Sequence, residues 1–320
     1  MTAAVPFPFF VGVGRSGTTL LRSIFNAHSE LAVAHESRFV AEVARHPDRY
    51  DRAGSFDVDR FVDDVLEDRK ISRIPEWGID VEVFRHAVQR SGADNPAVAV
   101  RLIYRAYADV NGKPRYGDKT PGYVRFLTSI GDLLPEARFV HLVRDGRDVA
   151  LSSNDVDFGA ANLVQAAHRW AERTRRAQDM GRHLGPARYL LLRYEDLIDE
   201  PEREVQKACD FLEFTYEPAM LRYFEDVDRV FGGLAGQEHH ERLRLPVTKG
   251  LRDWRRQMPP DDVRRFEVVA GDMLSELGYE LTAPVDARTT AERTVTALRV
   301  LQGRAVAAYR ARRRAGDKRS

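Results

Sequence analysis

The feature that most constrains the fold is a glycine-rich segment between an apolar run and a helical pattern near the start of the chain. Residues 7–13 are apolar and mostly bulky, which predicts a buried strand. The loop Gly14–Thr18 follows. The next apolar residues recur at helical spacing and are Leu20, Leu21, Ile24 and Phe25. A strand, a glycine-rich loop and a helix in this order predict the opening of a nucleotide-binding α/β unit.

The loop itself has the spacing of a phosphate-binding loop, because four residues separate Gly12 from Gly17 and two hydroxyl residues follow Gly17. Glycines let backbone N–H groups face a phosphate, and the helix N-terminus adds a favourable dipole. The lysine that nucleoside triphosphatases place after the second glycine is replaced here by Thr18. Arg15 puts a cation earlier in the loop, where its fork of donors suits an oxyanion.

Apolar runs separated by amphipathic patterns continue along the chain. Further strands are predicted at 31–34, 138–143 and 188–193, and helices at 39–45, 148–153, 163–182, 202–212 and 260–277. This alternation predicts an α/β fold, a single P-loop-like domain whose central, mostly parallel sheet is flanked by helices. We assign that domain to residues 1–284, with a helical insertion at 50–110 and a basic helical or disordered tail at 285–320.

Four segments resemble, in order, the motifs of sulfotransferases that use 3′-phosphoadenosine 5′-phosphosulfate (PAPS). Gly14–Leu20 resembles the 5′-phosphosulfate loop, and residues 139–152 resemble the 3′-phosphate segment, a strand that ends in arginine with a serine eight residues later. Arg193–Leu197 resembles the segment at the adenine, and Lys249–Trp254 resembles the loop that closes over the cofactor. The motifs are nearest to the tyrosylprotein and Golgi-type branch.

The resemblance implies PAPS as the sulfuryl donor and 3′-phosphoadenosine 5′-phosphate (PAP) as the product. The cofactor-binding residues that it implies are Arg15, Ser16, Gly17, Thr18 and Thr19 for the 5′-phosphosulfate, Arg144 and Ser152 for the 3′-phosphate, Tyr194 for the adenine edge, and Lys249 and Gly250 for the closing loop. Taken one at a time, Arg144 also fits a surface ion pair with Asp145, and Tyr194 also fits a core residue.

Three residues are the candidates for catalysis, Glu36, Lys119 and Arg15. Glu36 lies in a segment, His35–Arg38, that resembles the family's glutamate-containing segment, so the match implies a general base. Its alternatives are a helix cap or a pair with Arg38, and His35 is the rival base. Lys119 precedes Thr-Pro in a segment that resembles the one whose lysine stabilises the bridging oxygen of the leaving phosphate. A solvated surface lysine is the alternative.

The acceptor is less defined than the donor. We expect in-line transfer to a hydroxyl or amine of a small molecule, a carbohydrate or a peptide. The tyrosylprotein branch has a further serine before its closing loop, where this sequence has residues 239–246 and no matching serine, which weakens protein tyrosine as the acceptor. His240 or Arg242 are candidates to replace it. The insertion at 50–110 and the loop at 228–250 are expected to wall the acceptor pocket, with aromatic residues that also fit a core: Trp77, Phe84, Tyr104 and Tyr107.

Two other functions fit parts of this pattern, a P-loop kinase or triphosphatase and a non-catalytic nucleotide-binding module. Thr18 argues against the first, because the Walker lysine is missing, and the central strand ends in Arg144 where an Mg²⁺-holding acid is needed. Glu36 and Lys119 argue against the second. No metal site is predicted, because the adjacent histidines 239 and 240 lack a matching pair of carboxylates.

The charge is distributed unevenly although the formal net charge is only +1. From residue 288 onward ten basic residues face two acidic ones, and the rest of the chain is mildly acidic. This pattern argues against a nucleic-acid binder and allows the tail to touch an anionic membrane or support a dimer. A lone Cys209 excludes a disulfide framework. The poor fit to a secretory signal and the absence of a long apolar run lead us to expect a cytoplasmic protein.

Overall fold

The computed structural model describes residues 5–67, 77–153, 163–226, 244–247 and 253–283. Seven strands are found within these ranges: β1 (Phe7–Val11), β2 (Leu31–Ala34), β3 (Asp51–Arg52), β4 (Ser55–Phe56), β5 (Arg115–Lys119), β6 (Ala137–Val143) and β7 (Tyr189–Arg193). Five of them form the main sheet in the order β2-β5-β1-β6-β7, and β3 pairs with β4 in a separate hairpin. The registers of β1 with β5, β1 with β6 and β2 with β5 are all parallel.

Twelve α-helices lie within the described ranges: α1 (Thr18–Asn26), α2 (Phe39–Arg45), α3 (Val58–Glu67), α4 (Val81–Arg90), α5 (Pro96–Val110), α6 (Leu127–Leu133), α7 (Gly146–Ser153), α8 (Leu163–Leu184), α9 (Tyr194–Asp199), α10 (Pro201–Leu212), α11 (Trp254–Gln257) and α12 (Pro260–Glu276). Short 3₁₀ turns add Pro47–Tyr50, Pro121–Arg125 and Pro218–Asp226. None of these helices is long and apolar enough to cross a membrane.

The chain divides into two compact units. The first comprises Met1–Leu142 and Ala177–Lys249, and the second comprises Val143–Arg176 and Gly250–Ser320. The main sheet belongs almost entirely to the first unit, with only the last residue of β6 assigned to the second. The basic tail predicted at 285–320 lies outside the described residues.

The first unit has a hydrophobic core on each face of the sheet. Alternate residues of β1 point to opposite faces, so Phe9 enters one cluster with Phe139 while Phe10 enters the other with Phe25. Every residue of β1 and β2 is buried. Strands that are apolar throughout are expected where helices cover both faces of a parallel sheet. The predicted α/β fold with a central parallel sheet is therefore confirmed.

The sheet contains one strand that the sequence analysis does not predict, β5. This strand lies between β2 and β1 in the sheet, but its sequence is Arg-Tyr-Gly-Asp-Lys. It contains no run of apolar residues, so its periodicity gives no strand signal. Its last three residues are nevertheless buried, and Gly117 leaves room for Pro8 of β1, whose carbonyl oxygen would lie 3.2 Å from an added Cβ.

The second unit contains a fully buried arginine, Arg147. Its guanidinium donates to Asp145 through two nitrogens, at 3.0 and 2.7 Å, and to Glu267 Oε1 at 2.6 Å. The same group lies 3.6 Å from the ring centroid of Trp254 and donates to the Glu280 carbonyl. A guanidinium with two carboxylates and an aromatic face has its charge and its donors satisfied without water.

Candidate active site

The glycine-rich loop leaves β1 and enters α1 under tight steric constraints. A Cβ atom on Gly12 would lie 2.6 Å from the Leu142 carbonyl oxygen, so the loop passes directly against the neighbouring strand. Gly17 has φ +93° and a Cβ there would lie 2.5 Å from the ring of Tyr194. Arg15 also adopts a positive φ, 74°. The two glycines predicted to shape a phosphate loop are thus at positions that exclude other residues.

The loop contains a buried hydroxyl that has no hydrogen-bond partner among the described residues. The Ser16 side chain is only 1% exposed, and its Oγ has no hydrogen-bond partner among the described residues. Gly17 caps α1 and has no side chain to occupy the first free N–H groups of the helix. Thr18 is buried at the first helical position, and Thr19 is half-buried next to it. A buried hydroxyl and free N–H groups at a helix N-terminus fit an anion such as the phosphosulfate of PAPS.

Glu36 and Lys119 meet beside this loop. Glu36 follows β2 and Lys119 ends β5, which lies between β2 and β1. Lys119 Nζ lies 3.3 Å from Glu36 Oε1 and donates a hydrogen bond to it. The lysine pairs with Phe10 in register, two residues before Gly12. The carboxyl ends of parallel strands share one edge of the sheet, which is where open α/β sheets bind their ligands.

The two side chains of this pair differ in accessibility. The Lys119 side chain is 6% exposed, whereas that of Glu36 is 39% exposed. Burial is the main cause that lowers the pKa of Lys119, nearby Arg22 lowers it further, and the Glu36 carboxylate opposes both. The solvated-lysine alternative is therefore wrong, because the ammonium is buried and paired. Glu36 is therefore the member of the pair that solvent reaches.

A buried hydrogen-bond network, which sequence reasoning misses, lies behind the pair. Asp118 Oδ2 accepts hydrogen bonds from the hydroxyls of Tyr104 at 2.7 Å, Ser37 at 3.1 Å and Thr120 at 3.2 Å. Tyr123 OH lies 2.7 Å from Ser37 Oγ. Asp118 is completely buried, and burial raises its pKa to about 7 against the lowering effect of these hydrogen bonds. The only sequence signal was its place next to Lys119.

The aromatic residues that the sequence analysis offers as pocket lining are core residues. Tyr104, Tyr107, Trp77 and Phe84 are all buried in the hydrophobic cluster of one sheet face. Trp77 packs on both tyrosines with ring centroids 5.3 and 5.2 Å away. The structure therefore supports the alternative that these aromatic residues belong to the core.

Tyr194 and the phosphate loop lie together in the first unit. Tyr194 is the first residue of α9, directly after β7, and its ring packs on Gly17. Any side chain at position 17 would displace this ring. The residue predicted for the adenine edge is therefore in contact with the loop predicted for the 5′-phosphosulfate.

Arg144 and Ser152, both predicted for the 3′-phosphate, lie at the two ends of one segment of the second unit. Arg144 follows β6 and is 7% exposed, and Ser152 is buried in α7. Arg144 Nη2 lies 3.4 Å from Asp148 Oδ2, while Asp145 pairs with Arg147. Arg144 and Asp145 are both buried, so the alternative of an ion pair at the surface is wrong.

Asp148 also connects this segment to the start of the helix after the closing loop. Its Oδ1 accepts a 2.9 Å hydrogen bond from the Trp254 backbone N–H. The predicted closing-loop residues Lys249 and Gly250 lie outside the described residues, as do His239, His240 and Arg242. Their roles remain predictions.

Comparison with known proteins assigns the family. A model described as the sulfotransferase family matches residues 6–218, more than half of the chain. The chain belongs to the sulfotransferase family. The matched region contains the glycine-rich loop, Glu36, Lys119 and Tyr194.

Two relatives illustrate this sulfotransferase-family membership. The protein-tyrosine sulfotransferase of Drosophila melanogaster is 26% identical over 284 residues, which cover 86% of this chain and 52% of that protein. Protein-tyrosine sulfotransferase 1 of Danio rerio is 27% identical over 285 residues, which cover 86% of this chain and 73% of that protein. The chain thus spans about half the length of the Drosophila relative.

Solved structures show the same sulfotransferase fold. The sulfotransferase domain from the Synechococcus PCC 7002 olefin synthase superposes with a TM-score of 0.59 at 22% identity, covering 86% of this chain and 95% of that domain. The sulfotransferase domain from the curacin biosynthetic pathway superposes with a TM-score of 0.54 at 19% identity, covering 87% and 99%. Over the described ranges of this sulfotransferase-family chain, no group of three or more His, Cys, Asp or Glu side chains is arranged to hold a metal ion.

Proposed function

We propose that this protein transfers a sulfuryl group from PAPS to a hydroxyl or amine acceptor, with Glu36 as the general base. The observation that carries the proposal is the pair formed by Glu36 and Lys119 at the sheet edge where the phosphate loop begins. A nucleotide-binding module needs neither a half-exposed carboxylate nor a buried ammonium at this place. Family membership supports the same chemistry.

The phosphate loop supplies the donor side of the proposal. Backbone N–H groups of Gly17, Thr18 and Thr19 and the hydroxyl of Ser16 would hold the 5′-phosphosulfate, with Arg15 adding a charged fork of donors. The buried Ser16 Oγ, which lacks a hydrogen-bond partner among the described residues, is the observation that fits an anionic ligand. The roles of Arg144 and Ser152 at a 3′-phosphate, Tyr194 at the adenine, and Lys249 and Gly250 in closure belong to the proposal on the strength of their motifs.

Glu36 and Lys119 have different roles in the proposed transfer. When bound, PAPS supplies the sulfuryl group and leaves as PAP. The Glu36 carboxylate takes the proton of the acceptor hydroxyl as that oxygen becomes nucleophilic. The Lys119 ammonium holds Glu36 by a 3.3 Å hydrogen bond and offers its remaining N–H groups to the negative charge that develops on the leaving side. Because Lys119 is buried, its charge acts in a medium that screens it weakly.

The acceptor class follows less directly. The relatives named above are protein-tyrosine sulfotransferases, so a phenolic hydroxyl of a peptide is a candidate alongside small-molecule and carbohydrate hydroxyls. Glu36 is the accessible member of the pair, so the acceptor is expected to approach over Glu36. The missing serine noted in the sequence keeps protein tyrosine as one candidate among several.

Ligand-induced stabilisation tests the donor. A ligand that binds only the folded state raises the melting temperature by mass action. We expect PAP to raise the melting temperature in the presence of EDTA, and ADP at the same concentration to raise it less. A rise with Mg²⁺-ATP and none with PAP would contradict the proposal and favour a kinase or triphosphatase.

Turnover tests the transfer. The protein is incubated with PAPS and, in separate reactions, a tyrosine-containing peptide, simple phenols, aliphatic alcohols, amines and sugars, and PAP release is followed. Sulfated product should form with one of these classes at a rate that Glu36→Gln lowers by at least about 10²-fold. PAP binding with no transfer to any of the panel would favour the non-catalytic module.

A further inference from the structure

The loops that carry Glu36 and Lys119 are joined behind the pair by buried hydroxyl groups. The Ser37 backbone N–H donates to Thr120 Oγ1 at 2.9 Å, so the residues that follow Glu36 and Lys119 are bonded directly. Both hydroxyls, Ser37 Oγ at 3.1 Å and Thr120 Oγ1 at 3.2 Å, also converge on Asp118 Oδ2. Asp118 lies in β5 opposite Ala34, the last residue of β2, in register.

We infer that Asp118 is a positioning residue for the pair formed by Glu36 and Lys119. Its carboxylate holds the Glu36 loop through Ser37 and the end of β5 through Thr120, and its negative charge supports the ammonium form of Lys119. This inference rests on the proposed function, because it assigns Asp118 to the same reaction without contact to substrate.

A purely structural role explains the network poorly. Burying an ionisable carboxyl is costly, and a core built only for stability is often better served by apolar groups. Asp118 Oδ2 has three hydroxyl donors, but Oδ1 has no hydrogen-bond partner among the described residues. The carboxylate is therefore only half satisfied by hydrogen bonds. Two cations are among its charged neighbours, since Lys119 lowers the pKa of Asp118 and Asp118 raises the pKa of Arg22.

The charged and titratable groups around the site come from several elements. Three charged groups act on Lys119: Glu36 in the loop after β2, Arg22 in α1, and Asp118 in the same strand as Lys119. Asp118 further faces the phenols of Tyr104 from α5 and Tyr123 from the turn after β5, and burial keeps both phenols neutral by raising their pKa well above the ordinary value. Among these groups, Asp118 and Glu36 are the two that favour a charged Lys119.

The variant Asp118→Asn separates charge from shape. Its amide oxygen can accept the three hydroxyl hydrogen bonds at the position of Oδ2, while its NH₂ group takes the place of Oδ1. We expect kcat to fall about 10- to 100-fold, with KM for PAPS and for the acceptor changed less than about threefold, as for a group that orients a catalytic residue. The basic limb of the kcat–pH profile should move to lower pH, because a negative charge that favours the ammonium is removed.

If Asp118 had only a structural role, its replacement would lower the melting temperature. At pH 8 the melting temperature of Asp118→Asn should stay within about 4 °C of wild type, since the variant removes a buried charge and keeps the hydroxyl contacts. Loss of kcat without loss of stability supports a positioning role. A kcat within about twofold of wild type, together with an unmoved basic limb, overturns it.

A matched pair of tyrosine variants tests the network without touching charge. Tyr104→Phe removes the 2.7 Å hydrogen bond to Asp118, and Tyr189→Phe removes a 2.7 Å hydrogen bond to His141 Nδ1 elsewhere in the same unit. Both should lower the melting temperature similarly, but only Tyr104→Phe should lower kcat, and by at least about threefold. Equal kcat in the two variants overturns the inference even where Asp118→Asn does not fold. A wild-type protein that neither binds PAP nor consumes PAPS contradicts the proposed function itself.

Discussion

Lys119 Nζ lies 3.3 Å from Glu36 Oε1, although 83 residues separate the two in the chain. They meet because β2 and β5 are neighbouring parallel strands, with Ala34 opposite Asp118. Glu36 comes two residues after Ala34, and Lys119 comes one residue after Asp118. The pairing of the two strands therefore sets the separation of the two side chains. The pair places a buried cation and an accessible carboxylate at the edge of the sheet where the phosphate loop begins.

Replacing Lys119 with alanine should remove charge stabilisation at the leaving group. We expect kcat to fall by about 10²- to 10³-fold, as for removal of one electrostatic donor from an active site, with a circular dichroism spectrum like that of wild type. Lys207→Ala is the control, because Lys207 is half exposed and pairs with Glu204 on α10. Near-normal turnover by Lys119→Ala would remove Lys119 from the mechanism.

Glu36→Gln tests the base while keeping the shape of the side chain. Loss of general base catalysis costs about 10²- to 10⁴-fold in kcat, and the acid limb of the pH–rate profile should disappear with it. PAP should still raise the melting temperature, since Glu36 is not placed in the donor site. The matched control is Glu42→Gln on α2, where the carboxylate pairs with Arg45 and Arg49 at the surface. An unchanged profile in Glu36→Gln would point to His35.

Gly17→Ala should disturb the phosphate loop directly. A Cβ at this position meets the Tyr194 ring at 2.5 Å, and φ +93° adds about 1–2 kcal/mol of backbone strain. We expect a lower melting temperature and a much smaller stabilisation by PAP. Gly122→Ala is the control, because a Cβ there meets nothing within 4 Å. Full stabilisation of Gly17→Ala by PAP would show that the donor does not depend on this loop.

Arg147→Ala should destabilise the protein by about 3–5 kcal/mol, measured as the free energy of unfolding in urea. The substitution leaves Asp145 and Glu267 buried without their common cation, which is costlier than losing a solvated pair. Arg176→Ala, whose side chain is 71% exposed and pairs with Glu172, should cost less than about 1 kcal/mol. Equal costs for the two variants would contradict a stabilising role for the buried cluster.

Asp118 should make stability depend on pH in an unusual direction. Its pKa is raised by burial from a usual value near 4 to about 7, so between these values the folded state binds a proton that the unfolded chain has lost. The free energy of unfolding therefore carries a contribution that is present below about pH 4 and is lost as the pH rises to about 7, at about 1.4 kcal/mol for each pKa unit.

The comparison between wild type and Asp118→Asn isolates this contribution. The variant should lack it, so the difference in the free energy of unfolding should shift in favour of Asp118→Asn from pH 4 to pH 7 and then level off. Asp210→Asn, a change at an exposed position of α10, is the control for replacing a carboxylate by an amide. A constant difference across this window for Asp118→Asn would contradict the raised pKa.

Much of the architecture is predictable from local patterns. The strand at 31–34 is found with the predicted bounds, and the first, third and fourth predicted strands differ from the observed ones by two residues or fewer at each end. Those strands are apolar because helices cover both faces of the sheet, and a fully buried strand is recognisable from composition alone. The loop between Gly12 and Thr18 is likewise recognisable, since glycine spacing is a direct requirement of the backbone path.

The strand β5 is not predictable in this way. Asp118 and Lys119 are polar because they bind neighbouring groups: Asp118 accepts from the hydroxyls of Tyr104 and Ser37 in other segments and of Thr120 just after β5, and Lys119 binds Glu36. Local periodicity reports only whether a side chain meets apolar surroundings, and these side chains meet polar ones inside the protein. Tyr104 is a second example. Its position on a helical face predicts only that the ring is buried, and no local pattern indicates that its hydroxyl contacts a buried carboxyl.

The sequence by itself therefore determined the glycine-rich loop and the class of fold, because each depends on residue type and spacing, and the resemblance of its motifs to those of sulfotransferases pointed to Glu36 and Lys119 as the candidate base and cation. Only the tertiary structure decided that β5 lies between β2 and β1, which brings Lys119 to Glu36 and places Asp118 behind them. The physical reason is that strand order is set by the packing of the whole sheet against its helices, and no short segment of the chain contains that information.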